Sequence, residues 1–419
     1  MTGDGAERTN SAGADLNQGQ RHAQGSKTRW PARTITVARI TLNDDKPVLA
    51  PRAKKASPLQ ISRIKRAAMR VQEQPDVEQA LVPYGRLEPI LGAHSGYFPM
   101  FFDPKPVLNE LRANFAGVRL ADRYEITELG DTLRIRHKSP ISVPGLPSAE
   151  VARRALLRRL DLVYGIGPAR YAALREVGYS SILDLCEHPG FGRDAVNAYQ
   201  DWEPFRPTRL CDRLTWRLRG VGHLLSTLLS GLVELEEIVF LDTETLGLDG
   251  QAIFLCGLGR FVDGRFVVDQ FFAPNVGVEK AMLEQMLAGL AGVKLLVTFN
   301  GRSADITWLK GRFFYHRMGS FPEFAHVDLL YGTRRQFIRD RPVLSDGRLP
   351  TVQSELLKMA RPEHDVPSWA IPNVYDAYTK SRGVEEGLLV PIIDHNRSDI
   401  EALVLLLEIL AGAALERCQ

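Results

Sequence analysis

The sequence predicts an α/β protein: a mixed sheet flanked by helices in the C-terminal half, a smaller helical unit before it, and a disordered basic arm at the N-terminus. Three observations point there. From residue 235 three apolar runs of strand length follow one another, "EEIVFLDTE", "QAIFLCGLGRF" and "RFVVDQFFA". Strand and helix patterns then alternate, as in a layered α/β domain. Ahead of them, residues 150–192 read as helices broken by a Gly-rich turn.

Residues 1–60 are rich in Gly, Ser, Asn, Gln and charge and poor in aromatics, the composition of a disordered segment. Residues 1–70 hold fourteen Lys/Arg against five Asp/Glu, while the whole chain carries only +3, so the remainder is net acidic. A basic arm ahead of an acidic body suits a polyanionic partner, and it also suits a plain solvated tail. "ISRIKRAAMRVQEQ" (61–74) has helical spacing with a basic face. Residues 61–149 form a small domain of unassigned role, OB-like or another β unit. In it "RYEITEL" and "TLRIRHKSPISV" alternate around the turn-prone "GDT" and predict a β-hairpin.

Residues 193–233 read as a helical connection carrying Pro and Arg. Arg213, Arg217 and Arg219 in "DRLTWRLRG" either line a route to a site or are simply solvated. Residues 234–419 then give the three strands, a helix "EKAMLEQMLAGLAG", a strand "KLLVTFN", a helix "ADITWLKGRFFYHRM", a strand "EFAHVDLL" and mostly helix to the end.

At 419 residues the chain is long enough for two or three domains. Cys186, Cys211, Cys256 and Cys418 form no C-x-x-C pair, which excludes a zinc ribbon and a disulfide framework. No signal-peptide core and no 18-residue apolar run is visible, so a cytoplasmic location and no membrane partner are expected. No G-K-[ST] follows the glycines, and no G-x-S-x-G elbow exists, which removes P-loop and α/β-hydrolase chemistry.

The chemistry lies in carboxylates. In "IVFLDTETLGLDG" an apolar strand runs into Asp242 and Glu244, one residue apart and therefore on one face. Two like charges at the end of a buried strand are costly unless a cation lies between them. Asp305 opens a helix after the turn "FNGRSAD", where an N-cap role is the plain alternative. His395 and Asp399 in "IIDHNRSDIEALVLLLEIL" are four apart, on one helix face. Four carboxylates without a thiolate make a hard-oxygen site for Mg²⁺ or Mn²⁺. Two such ions are the known device for in-line cleavage of phosphodiesters, and a nearby histidine can orient or deprotonate the water. Asp328 in "HVDLL" ends another strand and is expected to support the site rather than hold metal.

At these residues the sequence resembles the DEDD exonucleases of the ribonuclease H-like superfamily. Their D-x-E motif is matched by Asp242-Thr243-Glu244, their second motif by Asn300 to Asp305, and their third by His395 and Asp399. "FNGRSADITWL", "DVPSWAIPNVYDAYTKSRG" and "PIIDHNRSDIEALVLL" are similar to YprB-like ribonuclease H-like domains, relatives of the exonuclease domain of family B polymerases. The resemblance covers about residues 235–413. It implies a metal-dependent nuclease hydrolysing nucleic acid, typically from the 3′ end as a 3′→5′ exonuclease. It does not fix DNA against RNA or exo against endo action, and the expected partner is DNA ahead of RNA, single-stranded or with a 3′ end. In it Asp242, Glu244, Asp305 and Asp399 hold two ions and His395 positions water. Three residues separate His395 from Asp399, the spacing of tyrosine-type members, so the histidine stands in a tyrosine-like place. The reading from another class is a nucleic-acid-binding scaffold that retains the fold without turnover.

"LDLVYGIGPARYAALREVGYSSILDL" resembles a helix–hairpin–helix motif. Gly165-Ile166-Gly167 would make the hairpin, Pro168 would open the second helix, and Ala172 would allow close packing. Backbone N–H groups at such a turn grip phosphate without reading bases. Gly165, Ile166, Gly167 and Arg170, with Asn300 of the second motif, are the candidate nucleic-acid contacts. Arg153, Arg154, Arg158 and Arg159 would add counter-charge.

Overall fold

The computed structural model describes residues 103–218, 220–247 and 251–418. The expected arm, the helix at 61–74 and Arg219 lie outside the described residues.

A helix α1 (Lys105–Phe115) leads into a hairpin of β1 (Glu125–Leu129) and β2 (Thr132–Lys138). Helices α2 (Ala149–Leu157), α3 (Pro168–Glu176), α4 (Gly192–Tyr199) and α5 (Pro207–Arg217) follow. Then come β3 (Ile238–Thr245), β4 (Ile253–Val262), β5 (Arg265–Phe272), α6 (Glu279–Gly289), β6 (Leu295–Thr298), α7 (Asp305–Tyr315) and β7 (Ala325–Asp328). Helices α8 (Ile371–Lys380) and α9 (Val390–Glu416) complete the chain.

The seven strands form one mixed sheet in the order β1-β2-β5-β4-β3-β6-β7. Pairings β3–β6 and β6–β7 are parallel, and the others antiparallel. The expected mixed sheet flanked by helices is therefore present. The β4–β5 hairpin closes through Asp263 (φ 50) and Gly264 (φ 73), the two left-handed positions that a tight Asp-Gly turn supplies. The hairpin placed in residues 61–149 also forms, but it is no separate β unit: β2 pairs with β5 and makes β1 the edge of the main sheet. That pairing joins residues more than a hundred positions apart, which local alternation does not reveal.

Period-two alternation divides β3 between two cores. Ile238 and Phe240 pack with Ile400, Leu403 and Leu407 of α9. Val239 and Leu241 pack on the other side with Met282, Leu283 and Met286 of α6 and Leu309 and Phe313 of α7. Truncating a buried ring such as Phe240 to Ala would cost about 3–5 kcal/mol. The α9 core continues without a break into Leu156, Leu160, Leu162, Leu224 and Leu228, so the helical unit shares its interior with the sheet domain.

Helix α9 reaches the sheet over two glycines of β4. A Cβ on Gly257 would lie 2.2 Å from Asn396 Oδ1, and one on Gly259 would lie 2.5 Å from Ile400 Cγ2. Alternate glycines on one strand thus give the helix its close seat. Across the sheet, Glu279 is wholly buried and accepts hydrogen bonds from Ile253 N (2.8 Å), Arg312 Nε (2.7 Å) and, through its other oxygen, His316 Nε2 (2.8 Å). This paired charge ties α6 and α7 to the start of β4. Among the described residues no helix is long and apolar enough to cross a membrane, and the four cysteines are free.

Candidate active site

The face that β3 turns toward α9 carries Ile238 and Phe240 and then, by the same alternation, Asp242 and Glu244. The strand that fixes the apolar core also fixes where the two carboxylates go. Opposite them α9 presents His395 and Asp399, both buried. One hydrogen bond spans the gap directly: Asn396 Nδ2 donates to Asp242 Oδ2 at 2.7 Å.

Asp305 is buried at the head of α7, and its Oδ1 accepts from both the backbone N (3.0 Å) and the hydroxyl (2.6 Å) of Thr243. The residue between Asp242 and Glu244 therefore clamps the second-motif carboxylate. No side chain caps α7, so Asp305 is not the N-cap that its position allowed.

The turn that delivers Asp305 is held by Asp328. Its carboxylate accepts from Asn300 N (2.8 Å), Arg302 N (2.9 Å) and Leu330 N (3.2 Å). Asn300 is left-handed (φ 64), and a Cβ on Gly301 would fall 2.3 Å from Thr298 Oγ1. Asp328 thus acts on backbone amides, the supporting part expected of it.

Asp399 carries a polar shell of its own. Its Oδ1 accepts from Gln353 Nε2 (2.9 Å) and lies 3.4 Å from Arg361 Nη1, while Oδ2 is 3.5 Å from His395 Nε2. His395 Nδ1 is 2.7 Å from Asp365 Oδ1, and Arg361 Nε donates to Asp365 Oδ2 at 2.5 Å. Gln353 also bonds Arg361 through its carbonyl. Gln353, Arg361, Asp365 and Asn396 are the site residues that sequence reasoning missed. Asp365 opens the quoted stretch "DVPSWAIPNVYDAYTKSRG", and Asn396 follows His395 directly, yet neither has a spacing that marks it.

The electrostatics are those of an over-charged cleft. Burial first, then the charges of Asp305, Glu244 and Asp399, push Asp242 well above the usual carboxylate range. Glu244 is pushed up to about 8 by burial, aided by Asp399 and Asp305 and opposed by His395. Asp305 rises to about 6 by burial, held back by the Thr243 hydrogen bonds. Asp399 is raised by burial against His395 and Arg361. His395 goes the other way: burial would lower it, but the Asp365 hydrogen bond and the charges of Asp399 and Glu244 raise it to about 9. Its imidazole is therefore cationic at neutral pH and donates hydrogen bonds.

Among the described residues no three of these side chains converge as a ready-made metal cage. The donor set still fits a divalent cation. It is all oxygen on its carboxylate side, and one oxygen each of Asp242 and Asp305 is fixed by a neutral donor. Among the described residues Glu244 accepts no hydrogen bond, and neither Asp242 nor Glu244 forms a salt bridge with a lysine or arginine. Hard dications meet that need.

At the helical turn Gly165 is left-handed (φ 83), and Gly167 precedes α3 without a side-chain cap. Ile166 is buried and anchors the turn, while Arg170 Nη1 donates to Gly165 O at 2.7 Å. Ala172 is exposed, and Leu174 is the buried contact of α3, which corrects the packing role expected of Ala172. Arg153 pairs with Glu203, Arg154 with Glu150 and Arg159 with Asp161. Arg213 binds Asp201, and Arg217 donates to Val163 O at 2.9 Å. These last two brace the fold instead of lining a route. The Asn300 side chain is exposed near Asp305.

Residues 239–411 match the family model of the RNase_H superfamily. Over 194 residues the chain is 35% identical to a protein of Bacillus subtilis (strain 168) described as uncharacterized protein YprB, the match covering 45% of each chain. The chain thus spans less than half the length of that curated relative.

Proposed function

Because residues 239–411 match the RNase_H superfamily model, whose nucleases generally use divalent ions, we propose that this protein is a metal-dependent 3′→5′ exonuclease. One observation carries the reading: Asp242 and Glu244 share the face of β3 that meets His395 and Asp399 of α9, with Asp305 bound to the intervening Thr243. Asp242, Glu244, Asp305 and Asp399 would hold two Mg²⁺ or Mn²⁺ ions. When bound, the ions supply an activated water and neutralise charge at the phosphate.

The chain's own residues do the rest. Thr243 and Asn396 each occupy one carboxylate oxygen, so the second oxygen of Asp305 and of Asp242 would be the one to hold metal. His395, held by Asp365 and cationic, orients water or phosphate as a donor. The Gly165–Gly167 turn and the uncapped start of α3 offer N–H groups to the substrate backbone, a grip that is salt-sensitive and indifferent to sequence. Asn300 adds an exposed amide beside the second-motif turn. DNA with a single-stranded 3′ end is the substrate we favour over RNA.

The test is a time course with Mn²⁺ on end-labelled single-stranded DNA and RNA, run beside Asp242→Ala. A ladder shortening from the 3′ end, lost in the variant, supports the exonuclease. Equal binding by both proteins with no cleavage would favour a non-catalytic scaffold.

A further inference from the structure

Resting on the nuclease reading above, we infer that His137, Gln270 and Asn396 form a positioning relay that fixes the metal-binding rotamer of Asp242 from β2, three strands away on the same face of the sheet. The relay is continuous. His137 Nε2 is 2.8 Å from Gln270 Oε1, Gln270 Nε2 donates to Asn396 Oδ1 at 2.8 Å, and Asn396 Nδ2 donates to Asp242 Oδ2 at 2.7 Å.

Strand register builds it. Asp242 pairs with Gly257, and Gly257 pairs with Gln270, so the three stand in one row across β3, β4 and β5. Cross-strand neighbours in register point to the same face. Gly257 leaves a gap in that row, and the Asn396 amide fills it from α9, bridging Gln270 to Asp242. A Cβ at Gly257 would stand 2.2 Å from Asn396 Oδ1 and close the gap.

The polarity of the relay is set by its partners. Gln270 Nε2 donates to Ile393 O (2.9 Å) as well as to Asn396 Oδ1, so its two hydrogens are both used. Flipping that amide would face three oxygens together, and flipping Asn396 would set an oxygen against Asp242. At the far end Arg397 Nη1 lies 3.4 Å from His137 Nδ1, which makes Nδ1 the acceptor and Nε2 the N–H. All three residues are buried, as a network that must be fully satisfied requires. His137 belongs to the hairpin and lies outside the family-matched residues 239–411, so part of the site's support comes from chain that the family does not define.

Direct Mn²⁺ titration and cleavage rate against Mn²⁺ concentration, on the full chain, separate this relay from the nuclease reading. Wild type should bind Mn²⁺, and Asp242→Asn should lose that binding. Asn396→Ala should bind about tenfold more weakly, the usual size of an outer-shell loss. His137→Phe should weaken binding by a smaller factor, and His137→Gln, which keeps an N–H donor, should recover most of it. Raising Mn²⁺ should restore the variants' rate, which a general loss of folding would not allow, and circular dichroism should stay native. Folded Asn396→Ala and His137→Phe that bind Mn²⁺ like wild type would overturn the relay while leaving the nuclease reading intact. Wild type that binds no Mn²⁺ would overturn both.

Discussion

His395 Nδ1 lies 2.7 Å from Asp365 Oδ1, a contact bridging α9 and the segment before α8. Burial would lower the imidazole's pKa, and this hydrogen bond, together with the charges of Asp399 and Glu244, raises it to about 9. Asp365→Asn should therefore move the His395 titration of the metal-free protein downward, followed by NMR of the ring C–H. An unmoved midpoint would mean that Asp399 and Glu244 suffice.

Metal binding should depend on pH with a definite sign. Folded values of about 8 for Glu244 and about 6 for Asp305 stand above the unfolded values of roughly 4. The folded protein binds more protons, so the stability these groups confer is full below pH of about 4 and is lost as pH rises through 6 and then 8. On the proposed reading, divalent ions bound at Glu244 and Asp305 would displace those protons. The rise in Tm on adding Mn²⁺ should be larger at pH 8 than at pH 5.5, by scanning calorimetry. An equal rise at both would speak against these carboxylates as ligands.

Glu244→Gln should separate activity from stability. It removes a buried charge that accepts no hydrogen bond from a described residue, so the metal-free protein should gain roughly 1 kcal/mol at pH 8. Cleavage should fall by at least about two orders of magnitude if Glu244 is the metal ligand proposed here. A variant that is less stable and still active would place the metal elsewhere.

Asp328→Ala should cost about 2–4 kcal/mol, because three backbone N–H groups lose their common acceptor. Denaturant unfolding measures it. Activity should fall too, through displacement of the turn that delivers Asp305. A loss under 0.5 kcal/mol, meaning about that of an ordinary surface change, would show that the turn holds itself.

Local spacing made half of the site legible. Asp242 and Glu244 share a face because strands repeat every two residues, and His395 and Asp399 share one because helices repeat every 3.6. The mixed sheet followed from the same periodicities. What stayed hidden depends on contacts between distant segments. Gln353 reaches Asp399 from a short π-helical turn (Val352–Leu356), and Arg361 and Asp365 reach Asp399 and His395 from irregular chain whose path no periodicity sets. Gln270, a polar residue inside the apolar run "VVDQFF", and the alternate glycines of "LCGLGRF" were the only traces of the relay. The hairpin was visible, but not its neighbour in the sheet.

That neighbour has a consequence for anyone cutting the chain. Residues 133–138 cover the outer edge of β5 from Val267 to Phe272. A fragment starting near residue 235 would uncover a row of unpaired amides and carbonyls on a strand rich in Val and Phe, and would strip Leu111, Phe115 and Ile135 from the apolar layer over Phe272 and Tyr375. Bare edges of that kind recruit other strands. The tail-side half would be prone to clump through β5, and the hairpin is what covers that edge.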